Sequence, residues 1–254
     1  FDPDLIKVQA LAGPKGYLID GIKLFVPDAH VANSMICVAR TNGETNSREG
    51  ITLFLVDARS PGIKWEFLKT VARDKQCEVI FQKVRVPQEN ILGSLNEGSK
   101  ILERLWQKAA IAKCAEMIGG AQFVLDMCVS YAKEREQFGK LIGTFQAVQH
   151  HCANMAVDVE ASRLITYQAA WRISKGLPAA MDVSMAKHWV NEACQRVTIL
   201  GHQIHGGLGF CDDHDMHLFH RRVRAGSLLF GDTTFHQKAI ARELLTEGAF
   251  FPEM

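Results

Sequence analysis

The chain lacks several familiar marks. It has no glycine-rich dinucleotide fingerprint, no P-loop, no C-x-x-C pair and no H-E-x-x-H. These gaps remove the usual sequence signs of Rossmann folds, P-loop NTPases and zinc sites. Net charge is only +1, so nothing electrostatic calls for nucleic acid or an anionic membrane as partner. No secretory signal, basic transit segment or transmembrane run is visible. The expected location is therefore the cytoplasm. The 7 cysteines are odd in number and scattered, which reads as buried reduced thiols. No Ser or Cys has a His/Asp partner pattern strong enough for a hydrolase. Internal repeats and low-complexity segments are missing too. What remains is 254 residues, 47% hydrophobic, enough for one large domain or two ordinary ones. The opening Phe1-Asp-Pro-Asp has neither Met nor a helix start, so an N-terminal portion is expected outside this sequence.

Up to about Ile91 the pattern is β. Asp20-Gly21, between the apolar runs of residues 17–26, predicts a hairpin turn. Further strands are expected at Ser34–Arg40, Ile51–Val56, Ile63–Leu68 and Cys77–Val86, with a polar break over Thr41–Gly50. Short strands at this spacing suggest a small barrel or sandwich. After Val86-Pro87 the period changes. Leu102, Leu105, Trp106 and Ala109 begin one helical stripe, and Val148, Cys152, Met155, Val159 and Ser162 another. Breaks at Phe138-Gly139, residues 175–178, Gly206-Gly207 and Gly231-Asp232 leave four or five helices, three of them long. The expected fold is α+β and multi-domain: a small β-barrel domain over 1–95, then an antiparallel four-helix-bundle domain over 96–254.

Two runs carry chemistry: Glu134-Arg-Glu-Gln-Phe-Gly139 and Gln203-Ile-His-Gly-Gly-Leu-Gly-Phe210. A guanidinium matches a diphosphate in planar, paired hydrogen bonds, where Lys offers a point charge. Glycine lets a main chain approach a phosphate or ribose closely. Each run also has a plainer reading. Arg135 sits between Glu134 and Glu136 like an ordinary surface arginine, and Gly206-Gly207 would serve as a helix C-cap.

Taken in order, Val86-Pro-x-Glu-Asn-Ile-Leu-Gly93, Arg135-x-x-Phe-Gly139, Phe145-Gln146, Ile204-His-Gly-Gly-Leu-Gly-Phe210 and Ala239-Ile-Ala-Arg-Glu-Leu-Leu245 resemble the acyl-CoA dehydrogenase family over essentially the whole chain. The resemblance implies the family's middle β-domain and C-terminal helical domain, without its N-terminal helical domain. It implies a flavoprotein oxidoreductase with FAD held between subunits of a homo- or hetero-oligomer, a dimer or tetramer, and an acyl-CoA substrate. It further implies that Arg135 contacts the pyrophosphate, that Phe138 packs on the cofactor and that Gln146 hydrogen-bonds it. Gln203, Gly206 and Gly207 would meet the adenosine–phosphate end. Asp2 resembles the last residue of the first flavin-contacting segment.

The likeness breaks at the catalytic base. The reaction removes an α-proton, which needs a carboxylate, and passes a β-hydride to flavin. Ungapped counting puts Phe230 and Ala109 at the family's two places for that Glu, and neither accepts a proton. Asp232, two positions on, is the candidate catalytic residue, though Gly231-Asp-Thr-Thr234 also reads as a turn with an N-cap. Phe25-Val26-Pro27 stands where the middle domain often has Trp-Ile-Thr or Trp-Ile-Ser. The stretch from His205 to Asp232 resembles a branch in which a subunit lacking the Glu pairs with a related one that has it. That branch acts on bulky or unusual acyl-CoAs, including steroid side chains and dicarboxylic acids. The readings left open are an acyl-CoA dehydrogenase subunit, a non-catalytic partner completing the FAD site of an active homologue, and a family flavoprotein for a non-thioester substrate. His202, His205, His214, His217 and His220 invite a metal, but packing and subunit contact are the expectation, and no metal is assigned. Arg221, Arg222 and Arg224 are expected to form a solvated basic face or to meet a CoA phosphate or a neighbouring subunit.

Overall fold

A computed structural model describes residues 6–43 and 49–246; Asp2 lies outside them. The chain divides into two compact units, 1–105 and 106–254.

The first unit is built on seven strands: β1 (Gln9–Gly13), β2 (Gly16–Pro27), β3 (Ser34–Arg40), β4 (Ile51–Asp57), β5 (Ile63–Leu68), β6 (Gln76–Val86) and β7 (Ile91–Leu92). They form one sheet in the order β5-β6-β2-β1-β3-β4-β7. Among the described residues β5 and β7 remain edges, so the expected closed barrel is not seen. Every pairing is antiparallel except β1 with β3. The hairpin expected at Asp20-Gly21 is corrected. The chain instead reverses at Pro14-Lys15, between Gly13 and Gly16, and β2 runs on through Asp20. Gly21 there marks a register shift against β6, with φ 134°. A glycine in a strand serves a bulge as readily as a turn, and a Cβ at Gly21 would lie 3.1 Å from Val8 Cα.

Alternation fills one face of the sheet. Phe54 and Val56 of β4 join Cys77, Val79 and Phe81 of β6, Cys37 and Ala39 of β3 and Ile19 of β2 in one core. The continuous apolar run of β4 buries its other face as well: Ile51 and Leu53 pack with Ile6 and Leu102. A strand covered on both sides needs such a run rather than strict alternation.

The second unit holds most of α1 (Gly98–Glu134), then β8 (Glu136–Gln137), β9 (Lys140–Leu141), α2 (Gln146–Ser174), α3 (Ala180–His205), α4 (Met216–Leu228) and α5 (Thr233–Thr246). Its core repeats at helical spacing. Cys114, Met117, Ile118, Ala121, Val124 and Cys128 of α1 meet Met155 and Val159 of α2, Val190, Cys194, Val197 and Ile204 of α3, and Met216 and Val223 of α4. Leu105, read as part of the α1 stripe, is exposed. Gly201 lets α3 pass close to this core. A Cβ there would sit 2.7 Å from Val124 Cγ1 and 2.8 Å from Met216 Sδ. Gly201→Ala is therefore expected to cost about 1–2 kcal/mol through overpacking, even after the gain in helix propensity; urea denaturation measures it.

Five cysteines are buried, Cys152 is half-buried and Cys211 is exposed; all are free, so the expectation of burial fails for Cys211. Burial pushes the Cys37 thiol up to about 11 and those of Cys114, Cys128 and Cys194 to about 12, which keeps these sulfurs unreactive. Among the described residues no helix is long and apolar enough to cross a membrane.

Candidate functional site

Helix α1 ends in a tight hairpin. β8 and β9 pair Glu136 with Leu141 and Gln137 with Lys140. Between them Phe138 and Gly139 take φ 55° and 76°, the paired positive values of a type I′ turn. Gly139 adopts this freely. A bulky aromatic residue in the left-handed region is a strained outlier, and Phe138 spends that strain on presenting its ring to solvent at 92% exposure. The Arg135 main chain is fixed on both sides: its N–H donates to Tyr131 O, and its carbonyl accepts from Ile142 N–H. Its side chain is exposed and, among the described residues, unpaired. Phe145, edge-on to Phe138 with ring centroids 6.2 Å apart, precedes exposed Gln146 at the start of α2.

The second run ends α3. His205 is its last residue, and Gly206 turns the chain with φ 59°. Gln203, Gly206 and Gly207 are exposed, and a Cβ built on either glycine meets nothing within 4 Å. Open space in front of a main chain is what a close-approaching phosphate or ribose requires. The helices that lead into the two runs meet through one stacking contact. Tyr131, one turn before Arg135, lies against the His205 ring with centroids 4.6 Å apart. Arg135, Phe138, Gln203, Gly206 and Gly207 are thus grouped about the adjoining ends of α1 and α3.

Histidines cluster at the end of α3. His205 bonds Gly201 O through Nδ1 at 2.9 Å, His202 stacks on Phe210, and His220 Nδ1 lies 3.0 Å from Thr198 Oγ1. Burial pushes His202, His205 and His220 below the usual imidazole value, so they pack as neutral rings. His217 faces Asp212 at 3.4 Å. Among the described residues no group of three or more His, Cys, Asp or Glu is placed to hold a metal. Arg224 spends a guanidinium N–H on Gln195.

Asp232 is not in this corner. It is exposed, at the turn between α4 and α5, where its Oδ1 accepts the Phe235 N–H at 2.7 Å and caps α5. The turn lies beside Lys187, about 27 Å along α3 from His205 at 1.5 Å rise per residue. Phe230 packs with Ile111, Ala169 and Val183. Phe25 lies near the end of β2, within the register shift between Lys23 and Val26, in a left-handed conformation with φ 56°. Sequence reasoning missed Lys187 and His236, both wholly buried against this turn. The available signal was periodicity: Lys187 falls four residues after Val183 and three before Val190, on the apolar face of α3.

Residues 1–84 match the family model for the acyl-CoA dehydrogenase middle domain, and residues 96–245 match that for the C-terminal domain. The chain belongs to the acyl-CoA dehydrogenase family. It is 32% identical over 249 residues to the short/branched chain specific acyl-CoA dehydrogenase of Bos taurus mitochondria, covering 96% of this chain and 57% of that protein. The structure of a glutaryl-coenzyme A dehydrogenase in complex with glutaryl-CoA superposes with a TM-score of 0.91 at 30% identity, over 96% of this chain and 62% of that one. PigA with FAD and proline gives 0.90 at 26% identity, over 96% and 64%. The chain thus spans less than two thirds of the length of each of these relatives.

Proposed function

We propose that this chain is the middle and C-terminal part of an FAD-dependent acyl-CoA dehydrogenase-like subunit, an oxidoreductase that removes hydrogen across Cα–Cβ of an acyl-CoA thioester. The single observation that carries the proposal is the corner formed by Arg135, Phe138, Gln203, Gly206 and Gly207. It is exposed, left open at both glycines, and built on two helix ends that touch. In this reading residues 1–95 and 96–254 are the two domains, and the helices of the second run antiparallel as a bundle. The protein works as a homo- or hetero-oligomer, dimer or tetramer, in the cytoplasm or mitochondrial matrix, with FAD at the subunit interface.

The donor set suits FAD. The Arg135 guanidinium would hold the diphosphate. The Phe138 ring would pack on the cofactor and the Gln146 amide would hydrogen-bond it. Gln203 and the main chain at Gly206 and Gly207 would receive the adenosine–phosphate end. The bound flavin supplies a hydride acceptor for the substrate Cβ. Asp232 is assigned to accept the α-proton, as the one carboxylate in the turn from Gly226 to Thr233.

Asp232→Asn separates that role from capping. Asn caps a helix as well as Asp, so stability should stay within about 0.5 kcal/mol. Under anaerobic conditions a panel of acyl-CoAs should bleach the flavin of the wild type, and of the variant at least 100-fold more slowly. Equal rates would remove Asp232 from the chemistry. A full-length protein purified without flavin absorbance would overturn the whole reading.

A further inference from the structure

Beside the α4–α5 turn lies the least expected group in the molecule, an ammonium with no solvent exposure. Lys187 Nζ donates to Asn191 Oδ1 at 2.6 Å, Gly226 O at 3.0 Å and Gly231 O at 3.3 Å. Asn191 Nδ2 adds a second donor to Gly231 O at 3.4 Å. From the other side His236, also without exposure, bonds Phe230 O through Nε2 at 3.0 Å and stacks on Trp106. Three carbonyls within six residues are thus gripped by side chains of α3 and α5.

The turn needs holding. Phe230 and Gly231 are both left-handed, with φ 58° and 98°. For Phe this costs on the order of 1–2 kcal/mol, and such a conformation persists only where the surroundings enforce it. A Cβ on Gly231 would fall 2.5 Å from His236 Nε2, so the packing is tight as well as bonded. Among the described residues no carboxylate pairs with Lys187; all of its hydrogen-bond partners are neutral oxygens. The Asp232 carboxylate favours the ammonium only from a distance, and a buried charge with no ion-pair partner in contact is a poor device for stability alone. Its distinctive property is three divergent donors on one atom, and these fix the exit of α4, the turn and the neighbouring α3 amide together.

We infer that Lys187, with Asn191 and His236, is a positioning residue that locks the Phe230–Asp232 turn and so sets where the Asp232 carboxylate stands. The inference rests on the proton-acceptor role proposed above for Asp232. Burial lowers the lysine to about 8, so near neutral pH the ammonium keeps all three of its protons for the lock.

The test uses the full-length, flavin-loaded protein and the variants Lys187→Met and Lys187→Gln. Amide hydrogen exchange of the peptide spanning 226–233 reads the turn directly. Anaerobic flavin bleaching by butyryl-CoA and octanoyl-CoA reads the chemistry. Lys187→Met is expected to keep its flavin per chain, to lose at least tenfold of the turn's protection and to bleach at least tenfold more slowly at saturation. The half-saturating acyl-CoA concentration should stay within about twofold, the split that a lost transition-state contribution gives. Lys187→Gln, which retains a donor, should recover part of both losses. An unchanged turn overturns the lock, and a loosened turn with an unchanged bleaching rate overturns the positioning role. If no acyl-CoA bleaches the wild type, neither these two nor dicarboxylic and steroid side-chain thioesters, the dehydrogenase reading and the positioning role fall together. The exchange data still decide whether the lock exists, so the two failures are told apart. Should Lys187→Met not fold, Asn191→Ala removes one acceptor and one donor from the same cluster and carries the same comparison.

Discussion

Replacing Arg135 by Ala is expected to leave the chain folded and to strip it of flavin. The side chain is exposed and unpaired among the described residues, so stability should move by no more than about 0.5 kcal/mol. Its main-chain bonds to Tyr131 and Ile142 do not depend on the guanidinium. A bidentate, charge-assisted contact to a diphosphate contributes on the order of 1.5–3 kcal/mol, roughly a ten- to hundredfold change in affinity. Flavin absorbance per chain after gel filtration is the measurement. Arg135→Lys should restore little, because a point charge cannot reproduce the planar fork. Full flavin content in Arg135→Ala would show that the corner between α1 and α3 does something else.

The second large effect is on stability in acid. His236 is buried, and burial pushes its imidazole down to about 4 from its ordinary 6.5. The unfolded chain therefore takes up a proton between about pH 6.5 and 4 that the folded chain refuses. Stability is complete above 6.5 and is lost as pH falls through that window. From this residue alone the loss approaches about 3 kcal/mol. His202, His205 and His220, lowered for the same reason, act with the same sign. Urea midpoints for wild type and His236→Gln, at neutral pH and near the foot of the window, isolate the contribution. Gln keeps a donor for Phe230 O but does not titrate. The variant should be less pH-sensitive, and parallel curves for the two proteins would refute the assignment.

Much of this architecture is legible from residue order. Four of the seven strands of the sheet announce themselves through apolar runs bounded by polar breaks. The α2 stripe reaches the core at Met155, Val159 and Ser162, the α1 stripe is core only at Leu102 while Leu105 is exposed, and each helix break falls where Gly or Pro stands. The failures are local and physical. Asp20-Gly21 carries a turn signal, but the same φ freedom serves a bulge, and only the partner strand decides between them. Closure of a sheet depends on whether its edges find each other, which no single strand encodes. Arg135, Phe138 and the twin glycines stand out because their residue types suit one chemistry. Lys187 is passed over despite its place on the apolar face of α3: a lysine in an amphipathic helix is normally solvated, and two of its three acceptors, Gly226 and Gly231, lie 39 and 44 residues on.

The coverage of β4 leaves one practical legacy. Ile51 and Leu53 rest on Leu102, from the opening turns of α1, and the packing boundary accordingly falls at Leu105. The match to the family's C-terminal domain starts at residue 96. Domain swaps cut at that point would take the roof off the donor's sheet and hand the recipient a strip of grease with nothing beneath it, so chimaeras should be spliced after Leu105.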